Sequence, residues 1–137
     1  MWQGERAMST RTNIHFVDAP NADGPNIYRH CDGYPSGVLG DMERFFADVA
    51  KLDDTCFGDP EYLASKFVVW QAAEYARGDS PLNFLSVGIS FRDHGDIEYV
   101  YEVVCDRGWS STEPPRVRWH ACDGNWHEWS VGDEIPV

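Results

Sequence analysis

Positive charge is scarce in this chain of 137 residues: 11 Lys and Arg stand against 23 Asp and Glu, a formal net charge of −12. Neutralising phosphates takes clustered Lys and Arg, so direct nucleic-acid binding is not expected. The same sign suits a protein that imitates nucleic acid, and equally any acidic domain. Cysteine pairs are missing too. Cys31, Cys56, Cys105 and Cys122 form no C-x-x-C, which excludes a zinc ribbon and a thioredoxin motif. No apolar run approaches the roughly 18 residues of a membrane span. Residues 1–7 lack the apolar centre of a signal peptide. The expectation is a reducing cytoplasm with free thiols, Met8 as an alternative start, and residues 1–7 as a disordered extension.

What is present is a core-former: 42% hydrophobic and 14% aromatic residues, enough for one α+β domain over residues 8–137. Residues 10–17 alternate as a strand, with Ile14 and Phe16 on one face and Arg11, Asn13 and His15 on the other. Residues 18–26 read as a loop, and residues 27–31 as a second strand. Pairing Val17 with Ile27 sets Arg11 opposite Gly33, beside Asp32. A first helix is expected over residues 36–52, with Ser36 as N-cap and Val38, Met42, Phe45, Phe46, Val49 and Leu52 on its buried face. A second is capped by Asp59 with Pro60 at its first position, and runs to Arg77, where Gly78 stops it. Its broad apolar stripe suggests a helix largely buried against the sheet.

Beyond Pro81 the period is two. Leu85, Val87, Ile89 and Phe91 share one apolar face, continued by Ile97, Tyr99, Tyr101 and Val103, then by Val117, Trp119 and Ala121. Glu98, Glu102, Arg116, Arg118 and His120 face outward, which suits cross-strand ion pairs on a solvated face. Asp123-Gly124 marks a hairpin into a last strand over residues 126–129. The order is ββααββββ: an antiparallel sheet with two helices packed on one face.

The densest chemistry lies in His30-Cys31-Asp32-Gly33-Tyr34-Pro35-Ser36, where the second strand meets the first helix. Its composition is that of a plain turn, and equally of a binding corner at a helix N-terminus. His30 and Cys31 point to opposite faces, so His30 is no base for that thiol. Trp126 and Trp129 are three apart on a strand, so one of them is exposed. Trp109 lies in a loop with no periodic partner, and exposed aromatics suit a binding surface. His120, Cys122 and His127 lack an evident fourth ligand, so neither a metal nor a cofactor is expected. The candidate ligand-binding residues are Arg11, His30, Asp32, Tyr34, Ser36 and Trp109; no catalytic set is assigned.

Met8-Ser9-Thr10-Arg11, Tyr28-Arg29-His30-Cys31-Asp32-Gly33-Tyr34-Pro35-Ser36-Gly37 and Asp96-Ile97-Glu98-Tyr99-Val100-Tyr101-Glu102-Val103 resemble a family of uncharacterised phage, prophage and large-virus proteins. Those begin Met-(Gly/Ser)-Thr-Arg and carry Tyr-x-x-x-Asp-Gly-Tyr-Pro-x-Gly, then an Asp/Glu-Tyr-x-Tyr strand. The resemblance covers roughly residues 8–105 and implies a virus-borne accessory protein acting in the host cytoplasm. Some relatives begin Met-Cys-Thr-Arg, which implies an N-terminal nucleophile; Ser9 stands at that position here, blocked unless translation starts at Met8. The leading expectation is a non-enzymatic counter-defence protein that sequesters a small anionic, nucleotide-like ligand. The alternatives are an acidic inhibitor of a host defence protein and a small hydrolase or transferase using Cys31, Ser36 or Ser9. Exposed sheet edges and spare aromatics suggest a homo-oligomer.

Overall fold

The computed structural model describes residues 9–137 apart from Arg77 and Phe84; the expected extension over residues 1–7 lies outside them. The elements are β1 (Thr12–Val17), β2 (Asn26–Arg29), α1 (Pro35–Val49), α2 (Pro60–Glu74), a 3-10 turn (Pro81–Asn83), β3 (Val87–Ser90), β4 (Tyr99–Val104), β5 (Arg116–Ala121) and β6 (His127–Trp129). This is the expected α+β fold. Its six strands lie in the order β3-β2-β1-β4-β5-β6. Every neighbouring pair is antiparallel except β1 and β4, which run parallel at the centre.

Strand alternation divides the sheet into two faces. Ile27, Ile14, Tyr101 and Trp119 lie side by side on the helix-covered face, and Phe16, Val103, Val117 and Trp129 form a second row there. From α1, Val38, Met42, Phe45, Phe46 and Val49 close the core from above, and from α2, Leu63 and Phe67 do so. Phe67 meets Phe16 and Phe45 with ring centroids at 5.8 and 5.3 Å, the Phe45 contact edge-on. Trp126 is 41% exposed and Trp129 is buried, as their spacing required.

Several expectations are corrected. Ile14, not Val17, pairs with Ile27, a register three residues away from the expected one. The ladder reaches into the supposed loop, because Phe16 N donates to Pro25 O at 2.9 Å. A proline is tolerated there because only its carbonyl is needed. Gly24 is required, since a Cβ at that position would lie 1.9 Å from Phe16 O. In α1 the N-cap is Tyr34 rather than Ser36, with no side-chain cap, and the helix ends at Val49, leaving Leu52 exposed. In α2, Asp59 does cap, accepting from Glu61 N at 3.1 Å and Tyr62 N at 3.3 Å. That helix ends at Glu74, and its broad stripe is only partly covered, because Tyr62 and Val69 are exposed. Ile89 shares the helix side of the sheet with Val87, but β3 is an edge strand beyond the helices' reach, and Phe91 lies past its end. Ile89 and Phe91 are 76% and 93% exposed. The last hairpin turns on Cys122-Asp123, with Gly124 N donating to Ala121 O.

A buried ion cluster ties sheet to helices. Arg29, on β2, donates through Nη1 to Asp41 Oδ2 at 2.6 Å and to Gln71 Oε1 at 3.3 Å, joining β2 to α1 and α2. Asp41 Oδ1 also takes Arg44 Nη2 at 2.5 Å and the Tyr75 hydroxyl at 2.8 Å. Arg44 reaches Glu74 as well. The hydrogen bond to Asp41 holds the Arg44 guanidinium above its ordinary range; burial, then the Asp41 hydrogen bond, push the Tyr75 phenol up.

Candidate functional site

The helix-free face carries a different row. Ser90, Asn26, His15, Glu102, Arg118 and Glu128 stand side by side across all six strands. This face is not simply solvated, because three connections fold over it. β3 and β4 run in the same direction with β2 and β1 between them, so residues 91–98 must return across the open face as a strap. Asn26 Nδ2 donates to Arg92 O and Asn13 Nδ2 to His94 O, both at 3.2 Å. The His94 ring stacks on Tyr28 at 3.9 Å. The β1–β2 connection approaches from one end, where Asn21 N donates to Glu102 Oε2 at 3.0 Å. Trp126 covers Arg118, whose guanidinium carbon lies 3.9 Å from the ring centroid.

Between these walls lies a groove of about 620 Å³, floored by His15, Asn26, Val100, Glu102 and His120 and rimmed by Asp23, Phe91, Arg92, Asp93 and Trp126. That volume suits a small organic ligand. The Glu102–Arg118 pair expected from the outward carboxylates and guanidines forms at 3.5 Å, but its side chains are only 8% and 13% exposed. Glu98 is not part of it, and Arg116 pairs with Asp106 and Glu128 instead. His15 Nε2 meets Asp93 Oδ1 at 3.2 Å, and His120 stands edge-on to Trp126 at 4.4 Å. Asn26 Oδ1 is buried and accepts no hydrogen bond among the described residues, whereas the buried Glu102 Oε1 has the Arg118 Nε of the ion pair as its partner. Asn26 Nδ2 faces acceptors on Asn13, Arg92 and Asp93, which fixes the amide and leaves its oxygen turned away. A buried acceptor left in the state of Asn26 Oδ1 costs on the order of 1–3 kcal/mol.

The candidate residues from the sequence do not form one site. Arg11 stands beside His30 by register rather than Gly33, and its ion pair is with Asp96, at 3.5 Å. His30 joins it on the helix-free face, its Nδ1 3.0 Å from the Tyr28 hydroxyl. Burial raises the Tyr28 phenol above its ordinary value and Arg11 opposes that shift. Asp32 and Tyr34 do meet: the Tyr34 hydroxyl donates to Asp32 Oδ1 at 3.1 Å, and its phenol is raised by burial and by that bond.

Asp32 adopts φ +57°. Gly33 N donates to Thr10 O at 2.9 Å, and Gly33 O accepts the buried Tyr101 hydroxyl at 2.7 Å. A Cβ on Gly33 would lie 2.7 Å from Thr10 O, which accounts for the Asp-Gly step. These bonds make the segment a corner that turns β2 into α1. Ser36 is exposed beside it.

Trp109 lies elsewhere. It follows β4, at the end of the sheet away from the corner, 78% exposed in a second cleft with Asp18, Asp54, Asp59 and Tyr62. His120 and His127 face opposite sides of the sheet, His127 stacking on Trp119 at 4.3 Å. Cys122 Sγ donates to Ile97 O at 2.7 Å. No cluster able to hold a metal occurs among the described residues. The groove went unrecognised because alternation marks a residue as outward without showing what folds over it. No family model, no curated protein and no solved structure matches the chain.

Proposed function

We propose that this protein is a non-enzymatic binder of a small nucleotide-like ligand, held in the groove of the helix-free face. The observation that carries this reading is a groove flanked by Trp126 and His120 and floored by Asn26, whose buried Oδ1 accepts no hydrogen bond among the described residues. Acceptors of this kind suit the ring N–H and amino donors of a nucleobase, and the rings suit its flat faces. Arg92 forms no ion pair among the described residues and stands at the rim, where it suits a phosphate. This moves the ligand from the corner to the groove and leaves the corner as support. The resemblance to virus-borne proteins fits a role in sequestering a host signal.

Calorimetric titration with purine and pyrimidine mononucleotides and cyclic nucleotides tests the reading. Saturable heat that Trp126→Ala weakens by at least tenfold is expected, and silence with every nucleotide refutes it. One observation favours a second reading, a hydrolase or transferase: Ser90 Oγ lies 3.0 Å from His94 Nε2 at the groove wall. Mass spectrometry separates the two, since a binder releases its nucleotide unchanged on denaturation and an enzyme yields a product.

A further inference from the structure

We infer that the groove selects guanine nucleotides over those of the other bases, which rests on its being a nucleotide site. Its floor is built from strand side chains, and none of them keeps an N–H uncommitted. His120 Nδ1 lies 2.5 Å from Ala121 O. A carbonyl only accepts, so the hydrogen sits on Nδ1, and in the neutral ring Nε2 is an acceptor. His15 repeats the pattern with the nitrogens exchanged: Nε2 meets Asp93 Oδ1 at 3.2 Å, which leaves Nδ1 as the acceptor. Asn26 directs Nδ2 to Asn13, Arg92 and Asp93, so its unpaired atom is the carbonyl oxygen. The Glu102 carboxylate has no hydrogen to give, and Val100 has no polar side-chain atom.

The uncommitted side-chain donors stand around this floor. Arg92 lies on the strap, Asn21 on the β1–β2 connection and Trp126 just before β6. Guanine is the base that matches such a division. Its N1–H and 2-amino group set two donor atoms side by side. Adenine and cytosine place one amino group beside a ring-nitrogen acceptor, and uracil holds a single N–H between two carbonyls. The guanine acceptors O6 and N7 suit the donors of Asn21 and Trp126, and Arg92 remains for the phosphate.

Calorimetric titration of the full chain with GMP, IMP, AMP, CMP and UMP tests this. GMP is expected to bind about tenfold or more tightly than the other four, because IMP lacks the 2-amino donor and the rest set an acceptor against the floor. Methylation of N1 in GMP is expected to cost about as much, since it removes the other donor. Another nucleotide binding as tightly as GMP overturns the inference and leaves nucleotide binding standing; silence with all five overturns both. His120→Phe keeps a ring against Trp126 and removes Nε2, and is expected to shrink the preference for GMP over AMP by about threefold or more. An unchanged preference in a variant with the wild-type urea midpoint overturns the acceptor floor as its source. Should His120→Phe fail to fold, IMP and the N1-methylated nucleotide probe the same acceptors from the ligand's side.

Discussion

Replacing Asp41 with Asn removes one negative charge and almost no volume from the junction of β2, α1 and α2. Arg29 and Asp41 are both buried, their side chains 3% and 5% exposed, and Arg29 Nη1 lies 2.6 Å from the carboxylate. Without that charge, Arg29 keeps its Gln71 and Cys31 carbonyl contacts but has no buried counter-ion. Breaking one partner of such a pair costs about 3–5 kcal/mol, because the remaining charge stays out of water. The stability of a domain this size is about 5–15 kcal/mol, so the loss is a large part of the whole. In urea the midpoint is expected to fall by about 1.5–2.5 M for an m-value near 2 kcal/mol/M, with m itself unchanged.

Arg29→Met combined with Asp41→Leu separates unpaired charge from lost packing. Replacing both ions with apolar groups of similar size is expected to recover most of the loss, since a buried pair adds little beyond compensating its own desolvation. A cost for Asp41→Asn below about 1 kcal/mol would show that water reaches Arg29, and the cluster would then not be the clamp described above.

Gly24→Ala drives a methyl into Phe16 O and is expected to cost more than 2 kcal/mol by urea unfolding, whereas Gly40→Ala, with open space around it, is expected to be neutral or mildly stabilising. Tyr101→Phe removes the hydroxyl that Gly33 O accepts, for about 1–2 kcal/mol, and is expected to speed amide exchange at residues 31–34 more than in α2. Burial pushes the Cys105 thiol up to about 12; its folded value lies above its unfolded one, so its contribution to stability is complete below about pH 8.5 and is lost as pH rises through 12. Iodoacetamide at pH 8 is therefore expected to spare Cys105 in the native protein and to label it in urea, and equal labelling in both would refute its burial.

Local chemistry was legible in the sequence wherever neighbours along the chain decide it. Asp59-Pro60 starts α2 because a cap and a proline act within one turn. Tyr101, Val103 and Val117 face the core because alternation needs no partner. Glu102 and Arg118 meet because both faces and the β4–β5 pairing follow from one hairpin. What was hidden depends on distant parts of the chain. Nothing in residues 12–17 says that their second neighbour is β4, and in parallel. Nothing in Val87 or Ile89 says that their strand is displaced to the edge. The strap over residues 91–98 reads as a turn, and becomes a crossing only because β3 and β4 share a direction. The groove follows from that crossing. The Arg29–Asp41 clamp was missed for a similar reason: its partners come from a strand and two helices, and no spacing marks them.

The parallel β1–β4 pair has a consequence in time. Thr12 Oγ1 donates to Tyr99 O across 87 positions of sequence, and β4 is the strand that joins β1 to β5. Until residues 99–104 have left the ribosome, the β1–β2 hairpin and both helices lack the centre of their sheet. Closing so long a loop is an entropic cost met before any contact rewards it. Folding is therefore set to complete late and nearly all at once, with the apolar side of the first hairpin waiting for residues 99–104 to arrive.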